Sequence, residues 1–534
     1  MLKKQSPFQL VQEIQFNIMH VTKDIVFVGS GLSSTYTLIH YLKLLIQAPL
    51  VKKVNIVIVE QSDEFWKGIP YSSKAGFSSL IITSLKEFIP NPERADFINW
   101  IKLNADWVFA DFEKEGGELS KSWLLKNKHA IKRNEWDELF IPRYIFGLYI
   151  EEKVSALLKE AVSSDKVYYT ILRAKVTNIK KEEKLYKITA LADDDSEFNL
   201  ISAKVVLSIG SPPKYKLDYN IAKAPFCIIN DIYHPSISHN IDKILSALLQ
   251  SDQIDENNIL IIGSNASALE VIYNLNDSGA INSLIKKFYI ISSAGCFPSR
   301  INKNVTDNFR PHYLTLLKDS KSFTSKKILD AVKKDVALAE TNNINIADTF
   351  NAISQSVMEL LNKLNRFQQK RFVSKYGVEI GKYQRRAGNE YLDSVETLRK
   401  QNKLENIKGR FIKTQKNHES ALGFNYFDRE SNLIKAIEPS IKVVIDCTGF
   451  QQLTTTSSSE LIRNLISQRI CVISESRTGF KVNEKFEANK NFFLMGPLLA
   501  GNLNKDLRIW HAESCGRIIS LSQQLANILH QVTD

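Results

Sequence analysis

The sequence predicts an α/β chain built from two copies of one strand–turn–helix unit, with a helical segment inserted after the second. Three observations predict it. An apolar strand, Asp24–Gly29, enters a glycine-containing turn, then Ser33–Gln47 with apolar residues at helical spacing, then a second strand, Val54–Val59. The pattern returns at Ile259–Ile262 followed by GSNASALEVIYNL, so that Gly29 aligns with Gly263, Ser30 with Ser264 and Ser33 with Ser267. Lys318–Leu364 holds neither glycine nor proline and is rich in Lys, Ala and Leu, which predicts two or three helices.

The remaining elements follow in order. Residues 1–22 read as a polar lead-in. Asp96–Leu103 and Tyr144–Ala161 have helical periodicity, and Val167–Leu191 alternates like strands around the turn KKEEKLY. Lys204–Ile209 is an apolar strand closed by Gly-Ser-Pro-Pro, and Val443–Cys447 is another, ending in Thr-Gly-Phe. Phe492–Met495 ends in Gly-Pro, and Ala512–Leu529 reads as a closing amphipathic helix.

Composition narrows the class. With 534 residues, 44% apolar and 24% charged, the chain is long enough for several structural units and too apolar to be mainly disordered. No apolar run reaches the ~18 residues of a membrane span, and the N-terminus lacks the apolar block and cleavage site of a signal peptide. Five scattered cysteines without a Cys-x-x-Cys pair suit a reducing compartment, so a cytoplasmic location is expected. The nine histidines form no HxxxH or HExxH pair, and no metal site is expected. Net charge is +12, and Arg366–Lys416 carries fourteen Lys/Arg against five Asp/Glu. That stretch reads as a solvated helical face; without an RNP-like or zinc motif, nucleic acid is not an expected partner.

The chemistry-bearing residues cluster at the turns. In Gly29-Ser30-Gly31-Leu32-Ser33-Ser34, Gly29 allows the tight turn and Gly31 lets the backbone approach a pyrophosphate. Ser34 stands where a third glycine is usual. N–H groups at the helix start then hold the phosphates. Glu60 ends the next strand, where a carboxylate accepts ribose hydroxyls and repels a 2′-phosphate, favouring FAD or NAD over NADP at this first site. The second turn, Gly263-Ser264-Asn265-Ala266-Ser267, has Asn265 for the middle glycine. Asn tolerates a left-handed backbone, but its side chain crowds a pyrophosphate. The second turn therefore reads either as a nicotinamide-dinucleotide site or as a Rossmann scaffold whose site has decayed. Gly210 and Gly449 end apolar strands and suit close passage of a cofactor. Cys447 reads as a small buried residue, and Arg385-Arg386 as a solvated pair.

Several segments together resemble the bacterial FAD/NAD(P)-binding flavoproteins that include FAD-dependent urate hydroxylase-like proteins, and more distantly the flavin-dependent N-hydroxylating monooxygenases. Gly68-Ile-Pro-Tyr71-Ser72 resembles the family's Gly-x-x-Tyr-Ser, Asp96-Phe97-Ile-Asn-Trp100 its Asp-Phe-x-x-Trp, and Pro142-Arg143-Tyr-Ile-Phe-Gly147-Leu-Tyr149 its Pro-Arg-x-x-x-Gly-x-Tyr. SSAGCFP from Ser292 resembles its Ser-Arg-x-Gly-x-x-Pro, with Ser293 in place of the arginine. Asp446-Cys-Thr-Gly449-Phe450 and Gly496-Pro497 complete the order. Leu80-Ile81-Ile82-Thr83 stands where the family often has an asparagine.

The resemblance implies two Rossmann-like dinucleotide-binding domains, the FAD domain being discontinuous, with a helical insertion. The expected boundaries are a lead-in at 1–22, the FAD domain's first part at 23–215, an NAD(P)-binding-like part at 216–300, the helical insertion at 301–380, a second NAD(P)-binding-like part at 381–440, and the FAD domain's C-terminal part at 441–534. Gly29, Ser30, Gly31, Ser33, Ser34, Glu60, Tyr71, Gly210, Gly449 and Gly496, with Gly263, Ser264, Asn265 and Ser267, are the expected cofactor-binding residues. The cofactors implied are FAD and either NADH or NADPH. The missing arginine at Ser293 predicts little preference for NADPH, unless Arg300 or Lys286 substitutes. The implied activity is an NAD(P)H-using monooxygenase that oxygenates a small molecule through a flavin hydroperoxide. A flavin-dependent dehydrogenase or oxidase, and a flavin-binding sensor or scaffold with a degenerate nicotinamide site, are the alternatives. No catalytic residue is assigned beyond His511, beside Trp510, as a candidate acid–base; a capping or packing histidine is the commoner role. The oligomeric state is left open.

Overall fold

The structure is a computed structural model that describes residues 21–49, 52–214, 226–250, 257–301, 309–344, 349–383, 385–418, 421–504, 507–509 and 515–531. In chain order the first unit begins with β1 (Lys23–Val28), α1 (Leu32–Gln47) and β2 (Val54–Glu60). Helices α2 (Glu93–Glu115), α3 (Glu118–Lys132) and α4 (Arg143–Ser163) lead to strands β3 (Val167–Arg173), β4 (Lys175–Glu182), β5 (Leu185–Leu191) and β6 (Glu197–Leu207). The second unit follows with β7 (Cys227–Ile229), α5 (Ile237–Leu249), β8 (Asn258–Ile262), α6 (Ala266–Asp277), β9 (Lys287–Ser292) and the short β10 (Ser299–Arg300). After α7 (Ser325–Thr341) and α8 (Phe350–Lys363) the chain re-enters the second unit at β11 (Arg386–Ala387), α9 (Asn389–Lys400), β12 (Leu404–His418), β13 (Ala421–Asp428) and β14 (Ile434–Asp446). Then α10 (Glu460–Ser467), β15 (Glu487–Asn489), β16 (Phe492–Leu494) and α11 (Cys515–Gln531) complete the first.

The first sheet has the order β15-β16-β6-β1-β2-β3, with the β4–β5 hairpin joined through β5 to β6. β1 lies parallel to β2 on one side and β6 on the other. Val26 and Phe27 are fully buried because helices cover this parallel sheet, which is why β1 reads as a continuous apolar run. α1 is buried almost all round, since α4 and α11 pack on it. The second sheet has the order β13-β12-β9-β8-β14-β7, with β8 parallel to both β9 and β14.

The segment between the two visits to the second unit has its own apolar cluster, including Ile328, Val332, Val357, Leu360 and Phe372. Its helices present apolar residues on one stripe only, so they bury against each other. β10 and β11 pair in parallel at its base, Ser299 opposite Arg386.

Two expectations are corrected here. The strand ending at Asp446 belongs to the second sheet, because Val443 to Asp446 register with Ile259 to Ile262 of β8; the chain crosses back after residue 446, not at 441. The basic stretch 366–416 is not one helical face: it spans short helices, β11, α9 and most of β12. Residues 512–514 of the expected last helix lie outside the described residues. No helix among the described residues is long and apolar enough to cross a membrane.

Candidate dinucleotide sites

In an open parallel sheet the ligand crevice lies beyond the carboxyl ends of the strands, where the strand order reverses. Here that is between β1 and β6 in the first sheet and between β8 and β14 in the second. The two places are built alike. Gly29 N donates to Val59 O (2.8 Å) and Ser208 N to Val28 O (2.9 Å). Gly263 N donates to Ile291 O (2.8 Å) and Cys447 N to Ile262 O (2.8 Å). Both glycines have positive φ, +92° and +110°. A Cβ on Gly29 would lie 2.5 Å from the Ser208 carbonyl oxygen, and one on Gly263 would collide with that of Cys447. The return strand, as well as the turn, therefore requires each first glycine.

At the first site Gly31 is the N-cap of α1, without a side-chain cap, and the first turn carries no acidic residue. Its N–H groups are thus open to a phosphate. A Cβ on Gly31 would lie 3.5 Å from Gly68 Cα, so the glycine keeps this face thin. Glu60 is turned onto the turn itself: Oε2 accepts from Ser30 N (2.7 Å) and Ser30 Oγ (3.1 Å), and Oε1 from Ser62 N (2.9 Å). Ser33 Oγ lies against Gly496. Among the described residues the hydroxyls of Ser34 and Ser208 find no partner, and both are buried. Gly210 faces open space, with nothing within 4 Å of a built Cβ. Gly29, Ser30, Gly31, Ser33, Ser34, Glu60 and Gly496 are thus brought together. The donor set, the thin glycine face and the orphan hydroxyls fit a dinucleotide such as FAD.

Tyr71, another of the expected cofactor-binding residues, is half-buried. Its ring packs edge-on against Phe146 (5.3 Å between centroids) in a cluster with Phe88 and Phe97, and its hydroxyl lies beside the Cys515 thiol. Burial raises its pKa well above the ordinary phenol value. Phe97, Trp100 and Tyr149 join the same aromatic cluster, so these motif residues pack the core behind the site. Leu80, where an asparagine was expected, exchanges hydrogen bonds with Tyr391: its N–H donates to the Tyr391 hydroxyl (2.8 Å), which donates to Leu80 O (2.9 Å).

At the second site Asn265 is the N-cap of α6 with φ −96° and ψ −166°, an extended backbone. The expected left-handed conformation is absent; Gly31 at the matching place also has negative φ, −72°. The substitution therefore changes space, not backbone conformation. Ser264 Oγ donates to Cys296 O (2.7 Å) and meets Ser292 Oγ at 2.8 Å, while Ser267 lies in the first turn of α6. Gly449 again faces open space. Asp446, read in the sequence only as part of a strand end, is 1% exposed; its Oδ1 accepts from Thr448 N (2.8 Å) and Oγ1 (2.7 Å), and its buried Oδ2 has no partner among the described residues. Burial raises its carboxyl above the usual range. Cys447 is buried, and burial pushes its thiol up to about 12, so it is a neutral packing residue.

Neither substitute for an arginine at Ser293 stands free at the crevice in the structure. Arg300 is engaged by Asp393 (2.7 Å) and Asn389 (3.0 Å), and Lys286 precedes β9 at the end away from the crevice. Arg386 is paired with Glu87 (3.1 Å) and lies over the Phe350 ring (4.3 Å), so it is not a solvated cation. Trp510 and His511 lie outside the described residues. Among the described residues no group of three or more His, Cys, Asp or Glu is placed to hold a metal.

The two units are tied together by contacts that no local motif announces. Arg143, at the start of α4, grips Glu270 of α6 with both guanidinium nitrogens (2.6 and 2.7 Å), and the Tyr233 hydroxyl donates to the same carboxylate. Asp277, at the end of α6, accepts from Gly117 N and Ser120 N (both 2.9 Å) and from the Ser78 hydroxyl.

A family model described as FAD-NAD(P)-binding matches residues 26–212, a span that contains the first glycine turn, Glu60 and Gly210. An uncharacterised protein of Mycobacterium tuberculosis and another of Mycobacterium bovis are each 29% identical over 506 residues, 95% of both chains. Among solved structures, the chain is similar to the reduced form of the ornithine hydroxylase PvdA of Pseudomonas aeruginosa (TM-score 0.54, 12% identity, 96% of this chain and 99% of that one). It is likewise similar to the ornithine N-hydroxylase KtzI of Kutzneria sp. 744 (0.53, 13%, 96% and 100%) and to the FAD-bound cadaverine monooxygenase DfoA of Erwinia amylovora (0.54, 12%, 96% and 95%). Residues 26–212 thus match an FAD-NAD(P)-binding family model, and the chain shares the two-unit α/β fold of these solved structures, with two switch-point crevices in one chain.

Proposed function

We propose that the protein is an FAD-dependent, NAD(P)H-using oxidoreductase that oxygenates a small molecule. The observation that carries this reading is the duplication of the switch point: two glycine turns, each braced by its own return strand, stand in units locked to one another by Arg143 and Glu270. The first turn takes FAD, with α1 N–H groups on the pyrophosphate and Glu60 on the ribose. The second takes the nicotinamide dinucleotide at α6. A flavin held at the first turn would supply hydride acceptance from a nicotinamide and activation of dioxygen for an oxygen transfer. The chain's own part is to bind, orient and keep water from the reacting atoms. KtzI has been solved with reduced FAD, NADP+ and L-ornithine, which supports a small-molecule substrate for the shared fold. Five free cysteines suit a reducing compartment such as the cytoplasm.

The test is an absorption spectrum of the purified protein, anaerobic mixing with NADH and with NADPH, then admission of oxygen. Bleaching of a flavin spectrum by nicotinamide, with oxygenated product from an added amine or aromatic substrate, is the expected result. Quantitative release of hydrogen peroxide with every substrate would select an oxidase. Asn265 favours one competing reading, a flavin-binding scaffold, and flavin that neither nucleotide bleaches would select it.

A further inference from the structure

β2 and β9 hold the same place in the two units: each lies parallel to the first strand and ends beside the glycine turn. Glu60 ends β2 and Ser292 ends β9. At the first turn residue Ser30 bonds to the Glu60 carboxylate; at the second, Ser264 meets the Ser292 hydroxyl. A carboxylate at this place accepts the ribose hydroxyls and repels a 2′-phosphate. Ser292 removes that repulsion.

The next strand supplies a cation in both units. Arg173 of β3 registers with Glu60, and Lys408 of β12 registers with Ser292. Partners in a parallel pair share a face of the sheet, so each cation stands beside the ribose position. In the first unit the cation faces an acid; in the second it faces a neutral hydroxyl. The loop after β9 lies on the Lys408 stem, since a Cβ on Gly295 would come within 2.6 Å of Lys408 Cβ. The Lys408 ammonium therefore emerges beside the loop that carries Ser293. Its partner is Glu430 (3.1 Å), an exposed pair of the kind that holds a side chain weakly. Arg410 lies two residues on, on the same face, exposed and without a carboxylate partner among the described residues.

We infer that Lys408 is the specificity-determining residue of the second site and selects a nucleotide bearing a 2′-phosphate, NADPH over NADH. This rests on the reading of that unit as the nicotinamide site. The cation comes from the neighbouring strand in place of the loop, so the expectation drawn from Ser293 alone is reversed.

The experiment is isothermal titration of the purified, flavin-loaded full chain with NADP+ and with NAD+, without turnover. Wild type should bind NADP+ about tenfold or more tightly than NAD+, the effect of one charged contact to phosphate. Lys408→Ala should lose about that factor for NADP+ and leave NAD+ and flavin content unchanged. Glu430→Gln, by freeing Lys408, should tighten NADP+ alone, and Ser292→Glu should reverse the preference. Equal binding of the two nucleotides by wild type, or a preference that survives Lys408→Ala, overturns the inference and leaves the nicotinamide site standing. Binding of neither by flavin-loaded wild type overturns the nicotinamide site itself, and the inference with it.

Discussion

Arg143 and Glu270 are 127 residues apart in the chain and meet through two hydrogen bonds of 2.6 and 2.7 Å, with the arginine side chain 12% and the glutamate 6% exposed. The pair joins the helix behind the first crevice to the helix that opens the second. Truncating one member strands the other charge in a dry interface. Arg143→Ala or Glu270→Ala should therefore cost about 3–5 kcal/mol. Urea unfolding followed by tryptophan and by flavin fluorescence checks it. A cost below about 1 kcal/mol would show the pair to be solvated in the working protein.

Gly29→Ala and Gly263→Ala should separate the two crevices. Each puts a methyl group against a return-strand carbonyl at positive φ. The first variant should purify without flavin. The second should keep flavin and lose nicotinamide-nucleotide binding. Flavin content by absorbance and nucleotide binding by titration read both, and flavin-replete Gly29→Ala protein would refute the placement.

Glu60 orders the first glycine turn through Ser30 and Ser62. Glu60→Gln keeps one oxygen for Ser30 N, whereas Glu60→Ala leaves that N–H without its acceptor. FAD affinity should fall about tenfold for the first and further for the second, since a charged hydrogen bond contributes ~1.5–3 kcal/mol. Fluorescence titration of apoprotein with FAD measures it; a Glu60→Gln protein that binds as wild type would show the charge to be irrelevant, and the reverse order would show the bond to Ser30 to be so.

His40 gives a pH signature remote from both crevices. Burial, then the nearby Lys43 charge, lowers its pKa from 6.5 to about 4, and its buried Nε2 has no partner among the described residues. Between these values the unfolded chain takes up a proton that the folded chain refuses. Stability contributed here is complete above pH 6.5 and falls as the pH drops toward 4. His40→Leu should remove that acid sensitivity, which for a pKa lowered from 6.5 to about 4 amounts to about 3 kcal/mol. Parallel stability–pH curves for wild type and variant would refute it.

The helices from 309 to 380 should be separable from flavin binding. Their apolar cluster is built from their own buried residues, with Tyr383 and Leu503 packed on its edge, and β10 and β11 bring the flanking chain together at its base. Replacing 309–380 with a short linker should leave a yellow, folded protein. Colourless or insoluble product in every linker length would make these helices part of the core.

Much of this was legible in the sequence because it is local. Gly29, Glu60, Gly263 and the apolar runs β1, β2 and β8 act through neighbours in the chain, and strand periodicity and turn chemistry are written within a dozen residues. The repeat itself exposed the two crevices. What tertiary structure alone decided is everything carried by pairing between distant segments. The register that places Lys408 beside Ser292, the assignment of β14 to the second sheet, the Arg143–Glu270 tie and the packing of Tyr71 on Phe146 all depend on which strands and helices become neighbours. A sheet orders its strands by burial of whole faces, summed over the chain, so no single segment contains that information.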